Sequence, residues 1–502
     1  MEYLIRFIQM HETFRQPEID ALADLAGIQM DWVFYSEDSP FAIIRFHDSA
    51  ADEATARALI ARSVLSDEIY ELWGSGTDYN RLHADIRRRT QTLWPQHSTR
   101  SFRFKVDSYH GSRSLAEQRQ LIETFDYMSF TGPIRMSKPD NHFTIFEHYD
   151  LDTPAPRALH FGRLIAQSGR KAINKYNLKK RTYIATTSMD AELSLVTANL
   201  AHAAPGTLTY DPFMGTGSFP LACAHFGSTV FGSDLDGRSI RGTAHRNVSK
   251  NFTQYATTPL YLGALIADLT HTPLRPSRLL NAIICDPPYG VREGLKVLGS
   301  TRPALQQIVH LADGTPAHLQ PGYIPPKKAY SFTRMLDDIL AFSADRLVDG
   351  GRLCMWMPVA GSGVPVGCEA AAAAAPPPPP SDAPETPDTH IDKVEAEAEA
   401  EVEAEAETEA EYPIPRHPAL ALISICQQDF NKWSRRLLTY RRLPDNQVDE
   451  TAISAYTAQR LLAEETSQLS GSDGTGKFKA DDLNDFRKRY FQGFRGEPGA
   501  GT

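Results

Sequence analysis

The 502-residue chain has few cysteines and no long apolar run. It contains only five Cys, none in a C-x-x-C pair, which argues against a disulfide scaffold and a Cys-rich zinc site and favours a reducing compartment. No apolar run approaches the roughly 20 residues that a membrane-spanning helix needs. The first 15 residues carry charges and lack the apolar stretch of a secretory signal. These absences predict a soluble, cytoplasmic protein with no membrane association.

The formal net charge of -10 argues, at face value, against a polyanionic partner. The acidity is local, however. Residues 369–411 hold 14 Asp and Glu and one Lys, a net of -13, so the rest of the chain is near +3. Alanine, proline and Glu-Ala repeats fill this stretch, which predicts a disordered acidic insertion over residues 361–411. The net charge therefore does not exclude a nucleic-acid partner.

Short strand and helix patterns mix in the first 161 residues and predict an α+β front end, divided into domains at 1–70 and 71–161. A basic linker, residues 162–181, follows, with seven positive and no acidic side chains: Arg163, Arg170, Lys171, Lys175, Lys179, Lys180 and Arg181. Such a run is either a solvated connector or a segment that contacts RNA phosphates.

From residue 182 strands and helices alternate, which predicts an α/β domain with a parallel sheet over residues 182–443. A long proline-containing segment at 291–328 is typical of a lid or binding loop. Beyond the insertion, the pattern predicts a helix over 417–430 and a strand over 436–440. Residues 444–502 form a C-terminal extension, predicted to be partly disordered.

The segment Asp211–Ser218, DPFMGTGS, is predicted at a strand-to-helix turn. Gly215 and Gly217 let the backbone approach a ligand where a Cβ would clash, and ligands of open α/β sheets bind beyond the carboxyl ends of strands. Pro220 replaces the third glycine of a dinucleotide fingerprint, which disfavours a pyrophosphate ligand. By itself the motif is also compatible with an ordinary tight turn.

Two further strands end in aspartate. Asp234 is placed to accept both hydroxyls of a ribose, and Asp268 to accept from an adenine amine, although a helix N-cap is the alternative for Asp268. Acidic strand ends without a pyrophosphate site predict S-adenosylmethionine as the cofactor. The predicted cofactor-binding residues are Asp211, Phe213, Gly215, Thr216, Gly217, Asp234 and Asp268.

The segment Asp286-Pro287-Pro288-Tyr289 follows an apolar strand and is the predicted catalytic site. Two consecutive prolines remove two N–H donors, so the loop offers acceptors that suit an amino group facing an electrophile. Tyr289 is suited to stack on an extruded base, while a chance turn is the alternative. His225 and His245 have no second ligand at metal spacing, so no metal site is predicted.

With these motifs in place, the chain resembles the catalytic subunits of eukaryotic tRNA (guanine-10-N2)-methyltransferases. The resemblance extends to about Leu443, apart from the insertion. It rests on six segments: Arg181–Asp190, Leu193–Asn199, Asp211–Ser218, Gly232–Arg238, Asp286–Gly290 and Trp433–Tyr440.

The resemblance implies a class I (Rossmann-like) methyltransferase domain preceded by an N-terminal ferredoxin-like domain and an RNA-binding THUMP domain. It further implies tRNA as substrate and a small zinc-binding activator subunit as partner. Two other hypotheses remain: an adenine-N6 methyltransferase of DNA or RNA, whose family shares the Asp-Pro-Pro-Tyr motif, and a non-catalytic RNA-binding subunit.

Overall fold

The computed structural model describes residues 1–48, 53–291, 295–300, 302–320, 323–360, 414–430, 433–470 and 484–492. The predicted acidic insertion, residues 361–411, lies outside the described residues. Among the helices that are described, none is long and apolar enough to cross a membrane.

The N-terminal region forms one seven-stranded sheet in the order β2-β3-β1-β4-β7-β6-β5. Every neighbouring pair is antiparallel except β5 and β6. The strands are β1 Glu2–Phe7, β2 Met30–Phe34, β3 Phe41–Phe46, β4 Ser66–Gly76, β5 Phe102–Tyr109, β6 Asn141–Tyr149 and β7 Pro156–Gln167. The helices are α1 Glu12–Ala26, α2 Glu53–Ile60, α3 Tyr79–Thr90, α4 Trp94–His97 and α5 Leu115–Glu123.

Two predicted boundaries differ from the structure. The division at residue 70 falls inside β4, which pairs with β1 on one side and with β7 on the other. The predicted linker also begins inside the sheet, because residues 162–167 are the end of β7. Leu159, Phe161 and Ile165 of that strand are buried, so this part of the chain is core rather than connector.

A second seven-stranded sheet follows, in the order β10-β9-β8-β11-β14-β16-β15, with a separate hairpin of β12 and β13. The strands are β8 Leu208–Asp211, β9 Thr229–Asp234, β10 Tyr261–Ile266, β11 Leu280–Cys285, β12 Lys296–Leu298, β13 Lys327–Ala329, β14 Leu347–Ala360, β15 Leu420–Phe430 and β16 Trp433–Arg442. The helices are α6 Ala172–Tyr176, α7 Ala191–Leu200, α8 Ser218–His225, α9 Gly237–Arg241, α10 Val248–Gln254, α11 Phe332–Arg346, α12 Glu450–Ser470 and α13 Asp485–Gln492.

The first five strands of this order are parallel, and β16 and β15 are antiparallel. The predicted parallel α/β sheet is therefore present. Chain order reverses between β8 and β11, since β9 and β10 lie on one side and β14 on the other. Ligands of such sheets bind at this switch point, beyond the carboxyl ends of the strands.

The prediction of a helix over 417–430 is wrong. Residues 420–430 form β15, which pairs with β16 from Leu420 opposite Arg442 to Phe430 opposite Trp433. The Ala- and Leu-rich start of this segment favours a helix locally, but the long hairpin with β16 satisfies the backbone and determines the structure.

The two sheets are joined through a buried carboxylate. Glu18 of α1 is fully buried and accepts hydrogen bonds from the Asn199 side chain at 2.8 Å and from the Val64 and Leu65 amides at 2.9 and 3.0 Å. Burial raises the pKa of Glu18. Because these partners come from both regions, the contact holds the N-terminal sheet against α7 of the second domain.

Candidate active site

Asp211 is the last residue of β8, at the switch point, and is 2% exposed. Its carboxylate accepts a hydrogen bond from the Phe213 amide at 2.9 Å. Burial raises the pKa of Asp211 well above its usual range, and the nearby charges of Asp234 and Asp286 add to this. Three carboxylates therefore converge at the edge where the predicted cofactor site lies.

The glycine turn after β8 has the conformation that the motif predicts. Gly215 and Gly217 have φ of +50° and +86°, in the left-handed region. A Cβ at Gly215 would meet nothing within 4 Å, so the backbone borders open space there. The Asp234 carboxylate accepts hydrogen bonds from the Gly215 amide at 2.9 Å and the Asp236 amide at 2.8 Å. This open turn, anchored on a carboxylate, fits an adenosine-type ligand.

Phe213 and Thr216, the other turn residues in the prediction, have different surroundings. Phe213 is partly buried and packs against the core on the α11 side. Thr216 is 5% exposed, and its hydroxyl hydrogen-bonds to Ser188 at 2.8 Å. Both residues stiffen the turn, and their contact with the cofactor stays a prediction.

Asp268, just beyond β10, is an N-cap, as the alternative interpretation holds. Its Oδ1 accepts hydrogen bonds from the His271 amide at 2.7 Å and the Thr270 hydroxyl at 2.9 Å. Its Oδ2 accepts one from the Leu298 amide of β12 at 2.7 Å. Both oxygens thus hold protein groups together, and binding of adenine by Asp268 stays a prediction.

The predicted catalytic loop follows β11, the strand beside β8. The Tyr289 hydroxyl donates to Asp286 Oδ1 at 2.5 Å, and the Arg435 guanidinium lies 4.0 Å from Asp286 Oδ2. Burial raises the pKa of Asp286, and Arg435 opposes that shift. Burial and the charge of Asp286 raise the pKa of Tyr289 well above its usual range, so its hydroxyl is neutral. Pro287 is buried and Pro288 is exposed.

Aromatic side chains that sequence reasoning missed surround Tyr289. Its ring lies edge-on to Trp433 at 6.0 Å and to Phe486 at 6.2 Å. Phe430 stacks on Trp433 at 4.4 Å between ring centroids. Trp433 belongs to a segment that carries the resemblance, which was an available signal. Phe486 has none, because it lies in the extension.

The seven predicted RNA-contacting residues divide into two groups. Arg163 is 8% exposed and bonds to Glu53 at 2.6 Å and Glu71 at 2.8 Å. Arg181 is 5% exposed and donates to the Ser218 hydroxyl at 2.7 Å. Both guanidiniums thus contact groups of the protein itself, and their role as RNA contacts stays a prediction.

Arg170 also bonds within the protein, to Glu192 at 2.7 Å and to the Val64 carbonyl at 2.8 Å, and its RNA contact likewise stays a prediction. The four lysines of the segment are exposed: Lys171, Lys175, Lys179 and Lys180. These four lysines are the exposed positive side chains of the predicted linker.

Two family models match the chain. Residues 1–170 match the Tmrp11 THUMP N-terminal domain, and residues 179–300 match an RMKL-like methyltransferase domain. The boundary between the matches lies just beyond β7, where the first sheet ends.

Relatives match over most of the chain. The tRNA (guanine(10)-N(2))-methyltransferase of Saccharomyces cerevisiae is 38% identical over 98% of this chain and 99% of its own. That of Schizosaccharomyces pombe is 35% identical over 88% and 90%, and that of Homo sapiens 33% over 71% and 79%. The chain belongs to this family.

Membership in the tRNA (guanine(10)-N(2))-methyltransferase family confirms the predicted resemblance and the fold class, a class I methyltransferase domain preceded by a THUMP-containing region. It also confirms that the chain is a methyltransferase that depends on S-adenosylmethionine. The open turn at Gly215 and the carboxylate of Asp234 fit that cofactor.

Proposed function

We propose that the chain transfers a methyl group from S-adenosylmethionine to the exocyclic N2 amine of guanosine-10 in tRNA. The observation that carries this proposal is the position of Asp286. Asp286 directly follows β11, and the turn that contains Gly215 follows the neighbouring strand β8. The carboxylate that would accept the N–H bonds of the target amine and the turn that would bind the cofactor therefore lie at neighbouring strand ends.

Gly215, Gly217 and Asp234 would hold the cofactor. The backbone of the glycine turn would lie against it, and the Asp234 carboxylate would accept hydrogen bonds from its ribose hydroxyls. The cofactor supplies an electrophilic methyl group. The protein must also orient the guanine base, and the next residues along the site serve that purpose.

An exocyclic amine is a weak nucleophile because its lone pair is delocalised into the ring. Asp286 and the carbonyls of the proline-containing loop offer acceptors for its N–H bonds, which directs the nitrogen toward the methyl group. As the N–C bond forms, the bond between the methyl carbon and the sulfonium sulfur would break. The amine would also lose one proton, which Asp286 is placed to take. Its raised pKa makes it a stronger base than an exposed aspartate.

The four exposed lysines at 171, 175, 179 and 180 are the proposed RNA-contacting surface of the connecting segment. They follow β7 and precede the methyltransferase domain along the chain, so they lie in the segment that connects the two regions. Contacts with phosphates release counterions. Replacing them by alanine should weaken tRNA binding and make it less dependent on salt.

We also propose that a small zinc-binding activator subunit is the partner and that it docks on β10. This strand pairs only with β9 among the described strands, so its outer edge has unpaired backbone groups. Leu262 is 66% exposed and Ile266 52%, an apolar surface that a partner would cover. Leu262→Asp should prevent copurification of the two subunits, whereas Leu279→Asp, at the similarly exposed Leu279 (65%), should not.

The four described cysteines, Cys223, Cys285, Cys354 and Cys426, are free and buried, which supports the proposed cytoplasmic location. The function is tested by incubating unmodified tRNA with the chain, its activator subunit and S-adenosylmethionine. Mass spectrometry of the nucleosides separates N2-methylguanosine, expected here, from N6-methyladenosine, the product of the adenine-N6 alternative. The non-catalytic alternative predicts tRNA binding without product.

A further inference from the structure

The C-terminal helix α13 lies on the catalytic loop. The Asn484 side-chain amide donates to the Tyr289 carbonyl at 2.9 Å. The Arg487 guanidinium donates to the Gly290 carbonyl at 2.5 Å and to the Val291 carbonyl at 3.0 Å. Three consecutive carbonyls at the end of the loop thus obtain their hydrogen-bond donors from a segment nearly 200 residues further along the chain.

Phe486 of the same helix is fully buried. Its ring lies edge-on to Tyr289 at 6.2 Å and close to Trp433 at 6.0 Å. Tyr490, one turn further on, lies 5.8 Å from Phe486 and 6.3 Å from Trp433. The Tyr289 ring is therefore held between β16 and α13, and both of its neighbours are aromatic.

Gly290 allows this close approach. Its φ is +76°, and a Cβ there would lie 2.4 Å from the Asn484 amide nitrogen. The Asn484 side chain also accepts from the Arg487 amide at 3.0 Å and so caps α13. The Asn484 side chain thus caps the start of α13 and also binds the Tyr289 carbonyl, which precedes Gly290.

We propose that α13 is a positioning element of the active site. Asn484, Phe486 and Arg487 hold the loop through its carbonyls and through the ring of Tyr289. Tyr289 in turn donates to Asp286, so the helix sets where the base-orienting carboxylate lies. These three are positioning residues, since each acts through Tyr289 or the loop backbone. The inference rests on the proposed function, in which Asp286 orients the target amine.

The test uses the full chain with its activator subunit, unmodified tRNA and S-adenosylmethionine. Phe486→Ala should lower kcat by about 10- to 100-fold, because small displacements of reacting groups reduce rates by such factors. The KM values for tRNA and S-adenosylmethionine should change by less than about twofold. Phe486→Leu, which restores most of the apolar volume, should recover most of the kcat.

Asn484→Asp is the sharper variant. It keeps the acceptor that caps α13 but replaces the donor to the Tyr289 carbonyl, so the helix is expected to remain in place while the loop loses its hydrogen bond. The expected kcat is about tenfold lower, measured on protein whose cooperative thermal unfolding shows that it is folded. If Phe486→Ala does not fold, the kcat of Asn484→Asp alone tests whether α13 positions the catalytic loop.

Lys488→Ala is the matched control, since Lys488 is exposed on the same helix and kcat should stay at the wild-type value. The inference is overturned if kcat of folded Phe486→Ala and Asn484→Asp stays within twofold of wild type. It is equally overturned if the loss lies wholly in the KM for tRNA. If the wild-type complex forms no N2-methylguanosine, the proposed function fails first, so the two failures are distinguishable.

Discussion

The Asp234 carboxylate at the end of β9 accepts a hydrogen bond from the Gly215 amide in the turn after β8, at 2.9 Å. This contact joins two strand ends, and it points one carboxylate and an open glycine turn toward the same space. The second oxygen accepts from the Asp236 amide at 2.8 Å. Asp234 therefore shapes the proposed cofactor site in addition to lining it.

Asp234→Ala should weaken S-adenosylmethionine binding by tenfold or more. It removes an acceptor for the ribose and the anchor of the Gly215 turn, and hydrogen bonds to charged groups contribute about 1.5–3 kcal/mol each. Isothermal titration calorimetry measures the Kd. Asp236→Asn is the control, because its backbone amide is unchanged, and it should bind like wild type. Equal affinities for the Asp234 variant and wild type would contradict the assignment.

Asp286→Asn should lower kcat by about 100-fold or more, since the amide keeps the shape of the carboxylate but cannot take the proton of the amine. Affinity for S-adenosylmethionine should remain within about twofold of wild type. Single-turnover methyl transfer and calorimetry measure the two quantities. An active Asp286→Asn enzyme would remove Asp286 from the mechanism.

Arg163→Ala and Lys179→Ala separate the two groups within the predicted basic linker. Arg163 is buried between Glu53 and Glu71, so its loss should destabilise the fold by about 3–5 kcal/mol and lower the melting temperature. Lys179 is exposed, so its loss should weaken tRNA binding and leave the melting temperature unchanged. Thermal unfolding and tRNA-binding titrations check both. The opposite pattern would support Arg163 as an RNA contact.

The buried histidines should contribute a loss of stability as the pH is lowered from about 6.5 toward 4. Burial lowers the pKa of His148 and of His160 to about 4 in the folded protein, while the unfolded chain has histidine pKa values near 6.5. The unfolded state thus binds more protons in this window, and stability present above pH 6.5 is lost as the pH falls. Urea unfolding at pH 7.5, 6 and 5 measures this.

His160→Gln should flatten part of that dependence, because its side chain does not titrate. The wild-type curve, measured under the same conditions, is the reference. A His160→Gln variant whose stability depends on pH as steeply as that of the wild type would contradict the burial of a neutral His160.

The sequence predicted the active-site half of the fold well because its signals are local. The glycines of the β8 turn, the aspartates at strand ends and the proline-containing loop each require a particular backbone, and the structure places Asp211, Asp234 and Asp286 at one edge of the sheet. The sequence did not predict β15, because its pairing with β16 is a long-range contact that overrides local helix preference.

Positive charge in the sequence was the weakest guide to which side chains are exposed. In the sequence, Arg163 and Arg181 cannot be told from Lys179, since all three are positive residues of one basic run. The structure shows that Arg163 pairs with Glu53 and that Arg181 bonds to Ser218, and these partners come from distant parts of the chain. The C-terminal contact on the catalytic loop was equally inaccessible, because Phe486 has no motif and its partner Tyr289 lies far away in the chain.

The most direct test of the central claim is the position and identity of the methylated nucleoside. Unmodified tRNA is incubated with the chain, the proposed activator subunit and S-adenosylmethionine, then digested and analysed by mass spectrometry. We predict N2-methylguanosine at position 10, and no product from tRNA with adenosine at that position. N6-methyladenosine, or N2-methylguanosine at another position only, would contradict the account.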